Sequence, residues 1–64
     1  MARLVIKGRG VVEVSGGGRA GDLVKRGGLA LSEVLILKGG EVVTEDEPVG
    51  EDEEITVYIV KSGG

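Results

Sequence analysis

Cysteine and histidine are both absent from the 64 residues. Without Cys the chain has no disulfide, no thiol nucleophile and no Cys-based zinc site. Without His it lacks the usual general base at neutral pH and the commonest metal ligand. Together these absences weigh against an enzyme that works alone. Aromatic residues are nearly absent too: Tyr58 is the single one, too few for a platform on which nucleobases stack. Cations are outnumbered, with 8 Lys and Arg against 11 Asp and Glu and a net charge of -3. Phosphate-backbone binding draws on clustered Lys and Arg, so no direct nucleic-acid partner is expected. No apolar run approaches the roughly 20 residues that span a bilayer. Met1-Ala2-Arg3 leads straight into Leu4-Val5-Ile6-Lys7-Gly8, which is not the pattern of a signal peptide. A soluble, cytoplasmic protein with no membrane partner is expected.

What is present fits a small folded domain. Hydrophobic residues make up 41% and charged residues 30% of the chain, a globular balance. The 13 glycines add an entropic cost on folding, and a chain of this length buries only about 60% of the surface its unfolded form exposes. Arg3 to Lys7 and Val11 to Val14, joined by Gly8-Arg9-Gly10, predict a hairpin. After a flexible Ser15-Gly16-Gly17-Gly18, the one helix is expected from Ala20 to Arg26, with Leu23 and Val24 as its apolar stripe and Gly27-Gly28 as its stop. Gly27 is expected to weaken its last turn. Glu33 to Lys38 is continuously apolar from Val34 to Leu37 and predicts a central strand. Lys38-Gly39-Gly40-Glu41 turns the chain into a short strand ending at Val43.

Thr44 to Glu54 is acidic, broken by Pro48 and Gly50, and expected to be loop with at most a turn of helix. Ile55, Val57 and Ile59 then alternate with Thr56 and Tyr58, the period of a strand with one buried face. Strongly apolar first and last strands are expected side by side at the sheet centre, with the helix across one face. The predicted class is therefore α+β: a β-grasp with a mixed sheet of four to five strands and one main helix. Residues 1–60 form the domain and residues 61–64 a flexible tail.

Two motifs have plain readings. Gly16 to Gly21 satisfies G-x-G-x-x-G between a strand and a helix, yet a dinucleotide site needs a parallel βαβ crossover and the preceding strands read as an antiparallel hairpin. The run also lacks the Lys-Ser/Thr of a P-loop, so a flexible loop is expected. Glu45-Asp46-Glu47 and Glu51-Asp52-Glu53-Glu54 offer many oxygens, but their spacing is not that of a calcium loop and Pro48 falls at a ligand position. A solvated acidic surface is expected, with steering of a basic partner as the other reading.

The chain closes on Lys61-Ser62-Gly63-Gly64 directly after the last strand. Four extended residues reach about 13 Å, far enough to carry a terminal carboxylate into a partner's active site. Glycine, with no Cβ, lets a narrow channel close around the backbone. An α-carboxyl with a pKa of about 3.5 is ionised at pH 7 and is a competent nucleophile toward phosphorus.

From Gly21-Asp22-Leu23-Val24 through Gly28-Leu29, Gly40-Glu41 and Pro48-Val49 to Gly63-Gly64, the sequence resembles the ThiS/MoaD-type sulfur carriers, prokaryotic relatives of ubiquitin. Gly27 stands where that family has a helix residue, Gly39 where Asn is usual, and Gly50-Glu51-Asp52 approximates its Asp-Gly-Asp. The resemblance implies a carrier with no catalytic side chain of its own, whose Gly64 carboxylate is adenylated by a partner activating enzyme. The chain would bind no cofactor, and that partner would use ATP and Mg. Sulfur from a donor's persulfide would then convert Gly64 to a thiocarboxylate, delivered to an acceptor synthase or a tRNA-thiolation enzyme. Thiamine thiazole, molybdopterin and a tRNA base all remain open as acceptors. Ser62 and Gly63 are the expected tail-recognition residues, and an apolar face around Val42, Val57 and Ile59 the expected docking surface. Two other readings stay open: a ubiquitin-like modifier conjugated to lysines through Gly64, and a non-covalent β-grasp binding module.

Overall fold

The computed structural model describes residues 1–60. In chain order the elements are β1 (Ala2–Ile6), β2 (Gly10–Val14), β3 (Gly18–Arg19), helix α1 (Ala20–Arg26), a 3-10 turn (Leu31–Glu33), β4 (Val34–Lys38), β5 (Glu41–Val43), β6 (Pro48–Val49) and β7 (Glu54–Ile59). Five strands form a mixed sheet ordered β2-β1-β7-β4-β5. The first and last strands are central and parallel, with Leu4 beside Ile55 and Ile6 beside Val57. All other neighbours in this sheet are antiparallel.

One face of the sheet carries the core. Leu4, Leu23, Val24, Ile55 and Val57 are fully buried, and Leu29, Leu31, Val34, Val43 and Ile59 pack around the cluster they belong to. Seven residues are too few for a helix to be stable by itself, so α1 depends on this packing and on its ends. Asp22 accepts from the Arg19 N–H at 3.4 Å, while Lys25 and Arg26 lie in the last turn, each charge at the favourable pole of the helix dipole. The Ala20 and Gly21 N–H groups donate to the Glu47 and Glu45 carbonyls at 2.8 and 2.9 Å. At the far end Gly28 takes φ +82°, its N–H donates to Lys25 O, and the Leu29 N–H donates to Val24 O. That is a Schellman stop, in which glycine tolerates the left-handed conformation.

Gly27 has an ordinary helical φ of -78°, so conformation does not require it. A Cβ there would sit 2.5 Å from Leu4 Cδ2. The expected weak spot of the helix is thus a point of close approach between helix and sheet. The acidic stretch also differs from a simple loop: Pro48–Val49 pairs antiparallel with Gly18–Arg19, and Val49 is buried. Val49 is the one apolar side chain in that stretch, and its burial draws the chain back against the glycine-rich segment. Among the described residues no helix is long and apolar enough to cross a membrane.

Candidate functional site

The sheet's second face has no layer over it among the described residues. Register places Val11 opposite Val5, Val5 beside Thr56, Thr56 opposite Leu37 and Leu37 opposite Val42. This row crosses all five strands and is apolar except for Thr56. Leu35 lies opposite Tyr58 one step further along. Val11, Leu35, Val42 and Tyr58 are all exposed, Val42 by 62%. Toward the start of β7 the same face turns ionic, with Glu13 opposite Arg3 and the Arg3 guanidinium 3.7 Å from Glu54. The apolar part of the face therefore lies toward the end at which β7 stops, where Val60 is 54% exposed.

Val42, Val57 and Ile59, expected to form one docking surface, do not share an exposed face. Val42 lies on the open face, whereas Val57 is fully buried in the core opposite Ile36, and Ile59 is half-buried against the same core. The period-2 pattern of the last strand already puts Val57 and Ile59 on its inner side, since alternate residues face opposite ways. The open-face residues that sequence reasoning did not single out are Val5, Val11, Leu35 and Leu37. For Leu35 and Leu37 the signal was the unbroken apolar run in β4, which suggested burial on both faces; for Val5 and Val11 it was the apolar character of β1 and β2 on both phases. The described residues cover only one face.

Ser62, Gly63 and Gly64, the expected tail-recognition and attachment residues, lie outside the described residues, as does the whole expected 61–64 tail. What the structure does fix is the departure point. The Val60 N–H donates to the Glu33 carbonyl at 2.7 Å, extending the pairing of β7 with the β4 side of the sheet to the last described residue.

The two motifs resolve by geometry. In the Gly16–Gly21 run, a Cβ on Gly17 would come within 2.8 Å of the Val49 carbonyl oxygen, so this glycine serves a close backbone approach. The first amides of α1 are occupied by the Glu45 and Glu47 carbonyls, whose negative ends face the place a phosphate would need. In the acidic stretch, Lys38 Nζ donates to the Pro48 carbonyl at 2.8 Å and lies 3.5 Å from Glu47 and 3.4 Å from Glu53. Glu53 also accepts from the Gly50 N–H at 2.6 Å. This backbone hydrogen bond, helped by Lys38, holds the Glu53 carboxyl below its ordinary range. Lys38 thus ties the acidic segment to the end of β4. Among the described residues no group of three or more acidic side chains converges as a metal site.

The chain matches no protein-family model, and no curated protein matches it as a relative.

Proposed function

We propose that the domain is a ubiquitin-like β-grasp and that the chain is a sulfur carrier of the ThiS/MoaD type, acting through the carboxylate of Gly64. The reading is carried by the diglycine of the sequence, which begins four residues after the end of a central strand, together with an apolar sheet face that the described residues leave uncovered. The parallel pairing of first and last strands, with a single helix across the inner face, supports the fold assignment.

In this reading the open row from Val11 to Val42 docks on an activating enzyme, burying apolar area in the manner of a protein interface core. A Gly64 carboxylate oxygen attacks the α-phosphorus of ATP and pyrophosphate leaves. Cations and Mg of the partner stabilise the charge that develops there. A persulfide sulfur then attacks the acyl-adenylate carbonyl and AMP departs, leaving an acyl disulfide. A second thiol of the donor enzyme breaks the S–S bond, forming a disulfide with the first and releasing the thiocarboxylate. With no Cys in this chain, the transferred sulfur rides on the main-chain terminus alone.

The test is ATP–pyrophosphate exchange in an extract of the native host supplied with the purified chain. Exchange that depends on the chain and disappears when Gly64 is deleted is the expected result. Exchange that survives the deletion contradicts the proposal.

A further inference from the structure

A pocket of about 240 Å³ opens at the end of the sheet where β7 stops. Leu29, Val34 and Ile59 line it with apolar surface, and Arg9 and Glu33 add one charge of each sign. Because β1 and β7 run parallel, the turn after β1, with Lys7 and Arg9, lies at this same end; the Lys7 N–H donates to Val57 O at 3.0 Å. The two ends of the sheet differ in how their cations are used. Toward the other end Arg3 pairs with Glu54, and Lys38 with Glu47 and Glu53. Among the described residues neither Lys7 nor Arg9 has a carboxylate within ion-pair range, Glu33 included. Arg9 therefore stands at the rim of a pocket of mixed polar and apolar lining, with Lys7 on the same turn and neither paired among the described residues, next to the point where the chain continues past Val60.

We propose that this pocket and turn are a second recognition site for the activating enzyme, separate from the open sheet face. A carboxylate of the partner pairs with Arg9, and an apolar side chain next to it enters the space over Val34 and Ile59. Charge complementarity selects an acidic partner surface. An enzyme that encloses the residues after Val60 must bring its rim over this end of the sheet. The inference rests on the carrier reading, because it is activation of Gly64 that brings such an enzyme here.

The experiment uses the host enzyme purified by its chain-dependent ATP–pyrophosphate exchange, with the full-length chain as varied substrate. Arg9→Glu is expected to raise KM for the chain on the order of 10-fold with kcat within about twofold, since the lost contact lies away from the reacting carboxylate. Arg9→Lys keeps a KM near that of the unaltered chain, and added salt narrows the Arg9→Glu difference. Ala30→Trp fills the pocket without changing charge and is expected to raise KM severalfold. Both Arg9→Glu and Ala30→Trp should melt as the unaltered chain does. If both show unaltered KM while the unaltered chain supports exchange, this inference falls and the carrier reading stands. If the unaltered chain supports no exchange with any host fraction, the carrier reading falls and takes this inference with it.

Discussion

At the scale of single residues, the chain depends on a few close approaches and one buttressed carboxylate. Gly27→Ala would add a methyl group 2.5 Å from Leu4 Cδ2, between a helix and a sheet with no slack. Although alanine is the better helix former, overpacking costs about 1–3 kcal/mol, so chemical denaturation should find the variant less stable. A more stable variant would show that Leu4 yields freely. Glu53 gives a pH signature whose sign follows from its neighbours. Its folded-state pKa is depressed by the Gly50 N–H and then by Lys38, so its contribution is fully present above the ordinary carboxylate range and is lost as pH falls through the folded value. Glu53→Gln should therefore melt below the unaltered chain at pH 7, and the gap should close on acidification. Thermal melts across the acidic range test this, and a gap that stays constant to low pH would contradict it. Neither effect was legible beforehand. Gly27 reads as a helix breaker until Leu4 is seen beneath it, and a run of seven acids does not announce which one a lysine at position 38 will meet.

At the scale of elements, periodicity carried far. The hairpin, the single helix over 20–26 with its glycine stop, the apolar strand at 34–38 and the alternating final strand could all be read from spacing, because each has a strong local pattern. The two short strands β3 and β6 could not, since two residues carry no period and their pairing depends on one buried valine meeting a glycine-rich segment. Val57 and Ile59 were grouped with Val42 for a related reason: a run apolar on both faces implies burial twice, but not by what. The open row makes a prediction of its own. Replacing Leu35 and Val42 together by Ser removes exposed apolar surface, 41% and 62% accessible in the unaltered chain, from a face outside the core. Stability should change by no more than about 0.5 kcal/mol per site, while the rate of Gly64 activation at low chain concentration should fall severalfold. Loss of folding with unchanged activation per folded molecule would place these residues in the core instead. Leu23→Ala is the contrasting case: that side chain is fully buried, and truncating it should cost about 2–5 kcal/mol, enough to unfold much of so small a domain.

At the scale of the whole molecule, folding and the proposed chemistry are divided along the chain. Among the described residues the fully buried core side chains fall between Ala2 and Val57, and the carrier reading predicts that the domain folds without the diglycine. Deleting Gly64 should leave the melting temperature unchanged, within about 0.5 kcal/mol, and abolish activation; a parallel fall in both would contradict that division. On the carrier reading proposed above, the missing Cys and His, the acidic balance and the open sheet face would belong to one molecule: a scaffold that supplies an acyl group and a docking surface to an activating enzyme. The most direct measurement of this claim is the intact mass of the protein isolated from its native host while sulfur transfer is active. The account predicts a chain that ends at Gly64, part of it heavier by one exchange of oxygen for sulfur. A mature chain that continues beyond Gly64 would contradict it.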